Sequence, residues 1–363
     1  MSVLAAIAVL AVLILVHELG HFLAARLQGI YANRFSLGFG PILWKYQGSE
    51  TEYAIRAFPL GGFVGFPDDD PDSPIPPDDP NLLRNRPILD RAIVISAGVI
   101  ANLVFAYIVL VALIGLQGVP ENINYQPGVL IPEVLAETSP AAQAGIQAGD
   151  VVLAIEGQTL DANPDSIPLL QERIQSNPNQ PLELTLERNS QRLSVQVIPE
   201  AGADGKGRIG VQLFPNGTPI YRRPSNPFEV LGLAADRFQN IVVRTAQGFA
   251  QLVTNFQSVA GQVGGPVRIV EEGAKFAQND SANLLLFAAI ISVNLAILNI
   301  LPLPALDGGQ LAFLLIEGLR GKPLPSKIQD GVMQTGLMLL LGLGVFLIVR
   351  DTAQLEFFQQ FFQ

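Results

Sequence analysis

Two histidines and a glutamate fall within five residues of each other in the stretch "AVLILVHELGHFLAARL" (Ala11–Leu27), and the chain has no third histidine. They are His17, Glu18 and His21, in the pattern H-E-x-x-H. Residues four apart share one face of a helix, so the two imidazoles can hold a single metal ion together. Such a pair supplies two of the three protein ligands of a catalytic zinc and leaves one position open to water. Glu18, beside His17, can reach a metal-bound water and take its proton, once the metal has brought the water's pKa towards about 7.

The surroundings of the triplet are apolar. An ionisable group at mid-span of a membrane helix costs on the order of 3 kcal/mol, so three of them in one otherwise uncharged span point to a function. A buried hydrogen-bonded polar cluster without metal is the competing reading. A third ligand belongs at the same depth in another span, and "NLAILNILPLPALDGGQL" (Asn294–Leu311) offers Asp307, just after prolines that break the helix. The rival view makes Asp307, Gly308 and Gly309 a plain turn, but predicts no match in depth.

The elements that must position these groups are read from composition and pattern. The 363 residues are 49% hydrophobic and 15% charged, against about 25% charged in an ordinary soluble domain. Four stretches are long enough to span a bilayer, which takes about 20 helical residues: roughly 2–25, 92–116, 284–303 and 332–349. The first has neither the basic leader nor the cleavage pattern of a signal peptide, so it reads as a retained span. Arg26, Arg34, Lys45, Arg84, Arg86 and Arg91 flank the first connection, and Arg320, Lys322 and Lys327 lie in the last. The twenty residues after the second span have no Lys or Arg. Both basic connections are therefore expected in the cytoplasm, with the long 117–283 region and both termini on the opposite side.

No cysteine is present, which excludes disulfides and thiolate zinc sites, and a net charge of −10 excludes a basic nucleic-acid surface. "FPDDDPDSPIPPDDP" (Phe66–Pro80) holds six aspartates and reads as a solvated linker, with a calcium or partner site as the alternative. "SLGFGP" (Ser36–Pro41) and "FPLGGFVGF" (Phe58–Phe66) alternate apolar residues with glycine, as in a small hairpin-like sheet dipping towards the membrane. Residues 119–202 read as a compact β-rich module. Beyond it, Phe238, Ile241, Val242, Phe249, Leu252, Val253 and Phe256 make one face of an amphipathic helix, suited to the membrane surface or to the module's core.

The whole pattern resembles the site-2 protease family of intramembrane zinc metalloproteases, close to the bacterial sigma-E-regulating proteases with a single PDZ domain. "HELGH", "NILPLPALDGG", "PLGGFVGF" and "GGPVRIV" (Gly264–Val270) resemble the family's motifs, and "SPAAQAGIQAGDVVLAIEGQTL" resembles a PDZ core. The resemblance implies a polytopic α-helical membrane protein with about four transmembrane helices, a membrane-associated β element and an inserted extracytoplasmic PDZ domain. Its parts would be an N-terminal membrane part (1–118), the PDZ domain (119–202), a linker with the amphipathic helix (203–283) and a C-terminal membrane part (284–363).

It also implies Zn2+ bound by His17, His21 and Asp307, with Glu18 activating water, and that Asn294 and Asn299 contact the substrate backbone or orient the site. Asn102 of "SAGVIAN" matches a family asparagine and is a candidate substrate contact, although Val99 stands where proline is usual. Gln310 replaces a frequent histidine and is not expected to be a ligand. The implied activity is hydrolysis within or near transmembrane segments, as in regulated intramembrane proteolysis of anti-sigma factors or signal-peptide remnants. Substrates would be single-pass proteins pre-trimmed by another protease. The setting would be the lipid bilayer of a bacterial plasma membrane or of a photosynthetic internal membrane, with no nucleic-acid partner. A catalytically inactive PDZ-bearing scaffold is the alternative from another class.

Overall fold

Helices that are apolar around most of their circumference carry the first body of this computed structural model, which describes residues 2–70, 73–136, 138–202, 204–255, 264–279 and 281–353. Among the described residues, four helices are long and apolar enough to cross a membrane: α1 (Ser2–Leu27), α2 (Ile88–Gln117), α7 (Ser281–Ile300) and α9 (Ser326–Ala353). The same body holds α5 (Pro227–Thr254), α6 (Pro266–Asn279) and α8 (Asp307–Arg320). The chain divides into two compact units, 1–117 with 224–363, and 118–223.

In the first unit α2 packs against both α1 and α7. Small residues set the approach: a Cβ on Gly20 of α1 would sit 2.5 Å from the carbonyl oxygen of Ala97 and 2.8 Å from Cβ of Ala101. Close backbone contact of this kind replaces the hydrophobic drive that lipid cannot supply. On the other side of α2, Ser292 of α7 donates its hydroxyl to the Asn102 carbonyl at 2.8 Å.

The amphipathic helix α5 packs on α2 and α7. Tyr107 of α2 donates to the carbonyl of Leu231 at 3.1 Å and meets the Phe238 ring edge-on. Thr245 donates to Oδ1 of Asn294 at 3.0 Å. Phe256, expected on the same face, lies outside the described residues. At the other end of the unit, Asp351 of α9 is 5% exposed and accepts from the backbone N–H of Gly265 at 2.8 Å, capping the start of α6.

The glycine-rich segment is more than a hairpin. Strands β1 (Arg34–Gln47) and β2 (Glu52–Gly65) each bend and pair twice. Residues 34–37 lie antiparallel to 62–65 and parallel to 52–55, and 52–55 in turn lies antiparallel to 44–47. A sheet of four short segments results, with 62–65 at one edge. The acidic run that follows is not simply a solvated linker. Asp68 accepts the N–H groups of Leu83 and Arg84 at 3.0 and 3.1 Å, pinning the turn before α2.

The second unit is built on an antiparallel sheet in the order β10 (Phe214–Arg222), β3 (Val119–Leu130), β4 (Val151–Ile155), β6 (Leu182–Arg188), β7 (Gln191–Val197), with β5 (Gln158–Thr159) paired to β4. Two short strands, β8 (Glu200–Ala201) and β9 (Gly207–Arg208), form a separate pair. Helices α3 (Pro140–Gln143) and α4 (Ser166–Ser176) complete the unit. Its core includes Val129, Ile131, Leu170, Leu184 and Leu186, each essentially inaccessible. The expected module ended at 202, whereas the compact unit runs to Arg223, because β10 pairs with β3.

Candidate metal centre

His17 and His21 project from α1 with their rings edge to face, 4.7 Å between centroids. Their Nε2 atoms lie 3.2 Å apart. Oδ2 of Asp307, at the first position of α8, lies 3.2 Å from Nε2 of His17 and 3.5 Å from Nε2 of His21. Zinc bonds of about 2.0–2.1 Å in a tetrahedron separate the ligand atoms by about 3.3 Å, so the three donors have the spacing that one ion requires. Oδ2 of Asp307 is buried without a hydrogen-bond partner, which is costly unless a cation meets it. The donor set therefore fits a divalent cation.

Local sequence explains how Asp307 arrives there. Proline at 302 and 304 stops α7, and the chain turns sharply through Ala305, whose φ is +70°. That conformation costs a non-glycine residue roughly 1–2 kcal/mol. Gly308 and Gly309 then fold back against the chain end: a Cβ on either would strike the carbonyl oxygen of Leu301 or of Leu303. Arg91 at the start of α2 makes a two-pronged ion pair with Glu317, which anchors α8.

One face of α2 completes the surroundings. The Val94 carbonyl oxygen lies 2.8 Å from Nδ1 of His21. Gly98 leaves the gap that both rings fill, since a Cβ there would overlap Nε2 of His21 and lie 2.7 Å from Cε1 of His17. Sequence reasoning passed over both residues: a backbone carbonyl has no side-chain signature, and glycines are common among membrane helices.

Glu18 is 9% exposed and packs on the face of the edge strand, with its Cγ 2.8 Å from where a Gly62 Cβ would lie. Glu18, both histidines and Asp307 open on a cavity of about 950 Å3. Leu10, Ile14, Ile269 and Leu295 line it, along with the sheet edge at 61–64. Asn299 joins the lining, its Nδ2 3.4 Å from Nε2 of His17. Asn102 lines it too, beside Nδ1 of the same ring. Asn294 does not line the cavity: its oxygen is taken by Thr245.

Comparison with known proteins gives this geometry a family. The pattern of Peptidase family M50 matches residues 5–343. A protein of Nostoc sp. named as a zinc metalloprotease is 64% identical over 368 residues, covering all of both chains. The membrane metalloprotease ARASP of Arabidopsis thaliana, a chloroplastic protein, is 47% identical across 99% of this chain and 80% of its own. Protease RseP of Yersinia pestis is 31% identical across 95% and 97%. Among solved structures, the PDZ domain of an SdrC-like protein from Listeria monocytogenes covers 24% of this chain and 86% of its own, at 19% identity and a TM-score of 0.21. The chain belongs to peptidase family M50. It is a zinc metalloprotease of the site-2 type, and the inactive-scaffold reading falls.

Proposed function

We propose that the protein cleaves single-pass membrane proteins within or beside their transmembrane segments, after another protease has trimmed them, as a step of regulated intramembrane proteolysis. The observation that carries this reading is the meeting of His17, His21 and Asp307 with Glu18 in one cavity among membrane-crossing helices. His17, His21 and Asp307 hold zinc, which supplies a Lewis acid and an acidified water. Glu18 takes the proton from the attacking water and passes it to the leaving amine. Asn299, in the cavity wall beside His17, donates its amide to the scissile carbonyl.

A transmembrane helix hides its carbonyls in its own hydrogen bonds, so the target must be unwound before attack. Residues 62–65 pair only with 34–37 among the described residues, which leaves an outer edge, on the strand that Glu18 packs against, for an extended substrate to join. The 118–223 unit is taken as an extracytoplasmic PDZ module, and the membrane as a bacterial plasma membrane or a photosynthetic internal one. The test is cleavage of a reconstituted single-span substrate. Glu18→Gln should keep one zinc per chain and lose on the order of 100-fold or more of the rate, since its amide cannot accept the proton. Turnover near wild type by Glu18→Gln would remove Glu18 from the mechanism.

A further inference from the structure

Val94, Gly98 and Asn102 recur every fourth residue along α2, and each meets at least one of the two histidines. Asn102 is fully buried. Its Nδ2 lies 3.4 Å from Nδ1 of His17, while its Oδ1 is buried with no hydrogen-bond partner. Nε2 of His17 is the nitrogen turned towards Asp307 and His21, so it is the one that offers a lone pair to a metal. A neutral imidazole has one proton, and Nδ1 must then carry it as a donor. An amide NH2 opposite that N–H sets donor against donor.

Amide oxygen and nitrogen are distinguished only by the hydrogen bonds around them. We infer that the Asn102 amide sits with its oxygen towards His17, where it accepts the Nδ1–H and fixes the tautomer that presents Nε2 to zinc. Asn102 is thus a positioning residue rather than a substrate contact. The Val94 carbonyl oxygen does for His21 what Asn102 does for His17, from positions two turns apart on the same helix face. Exchanging the amide moves the unmet valence to its NH2. The bond gained is to a metal-bound, partly cationic imidazole, and such bonds are roughly twice as strong as neutral ones. Asn299 cannot serve instead, because it faces Nε2.

This inference rests on the metal reading above, and the test separates the two. Zinc dissociation constants are measured by chelator competition on the full-length protein in detergent micelles, for wild type, Asn102→Leu, Asn102→Asp and His17→Ala. Asn102→Leu keeps the volume and removes the acceptor, and should weaken zinc by about 10–100-fold, the usual effect of losing such a partner. Asn102→Asp keeps an acceptor and should restore wild-type affinity. If Asn102→Leu binds zinc as tightly as wild type, or Asn102→Asp fails to restore it, the positioning role is overturned while the metal site stands. If His17→Ala binds as tightly as wild type, both fall. Should Asn102→Leu not fold, Asn102→Asp decides alone: a tenfold loss of affinity there overturns the role.

Discussion

Gly98 of α2 lies so close to His21 of α1 that a single added methyl group would overlap the ring nitrogen facing Asp307. The same methyl would stand 2.7 Å from Cε1 of His17, so neither ring can retreat without leaving the ligand position. Gly98→Ala should therefore drop zinc below one per chain and cost activity about 100-fold, the usual scale for an ångström of misplacement. Gly115 on the same helix has no atom within 4 Å of where an added methyl would sit, so Gly115→Ala is the control and should keep its zinc. Full zinc occupancy and turnover in Gly98→Ala would show that the rings have another way to fit.

The Thr245 hydroxyl on Asn294 assigns that asparagine to helix packing. Hydrogen bonds between membrane helices average about 0.6 kcal/mol and reach about 1.7. Thr245→Val and Asn294→Leu should each lower thermal stability on that scale, and the double variant should lose less than their sum. Zinc content and the KM for substrate should not change. A raised KM in Asn294→Leu with unaltered stability would return the residue to the substrate.

In the β-rich unit Asp150 is fully buried and receives Arg188 through Nε and Nη2, both at 2.7 Å. Burial opposes the charge on Asp150, but Arg188 and the Gln147 N–H outweigh it, so the carboxyl titrates below its ordinary range. A depressed folded value stabilises the unit above the unfolded pKa, about 3.9, and that contribution fades as pH falls through the folded value. Arg188→Ala leaves the carboxylate buried and unpaired, a loss of about 3 kcal/mol at pH 7. Hydrogen exchange of β4 and β6 amides in the intact chain should quicken accordingly at pH 7, with the gap from wild type narrowing in acid. An unchanged rate at pH 7 would refute the pairing as a source of stability.

Local pattern carried the site further than it carried the fold around it. His17, Glu18 and His21 were legible because one helix fixes their spacing, and Asp307 because prolines and glycines mark where α7 must stop. The acceptor for His21 is a backbone carbonyl, and the room for both rings is the missing side chain of Gly98. Neither leaves a trace until α2 is docked on α1. Strand segments 34–37 and 52–55 pair in parallel, across a turn that sequence reads as a hairpin. The same holds for β10, which joins β3 from more than eighty residues away and carries the unit's end to Arg223. Long-range pairing fixed these features, and alternation alone is blind to it.

The pairing of β10 with β3 also decides how the module's role should be tested. Removing 119–202 alone would strand β10 as an unpaired edge, so the deletion must run from 118 to 223 and be bridged by a flexible linker. Two accounts make opposite forecasts. If the unit filters by size, the truncated enzyme should cleave untrimmed substrates that the intact one ignores. If the unit captures the C-terminus left by an earlier cut, the truncated enzyme should lose activity even on trimmed substrates. In the capture account the groove would lie near Gly128 to Val134, and the hydrogen bonding there favours the filter. The Gly128 N–H already donates to the Leu160 carbonyl, and the nearby Ile131 N–H to that of Asp150, both at 2.8 Å. Val129 and Leu130 are paired on both sides, with β10 and with β4. A carboxylate arriving there would have to displace bonds already made, which costs about as much as it gains. Cleavage of trimmed and untrimmed substrates by the 118–223 deletion at wild-type rates and selectivity would defeat both accounts.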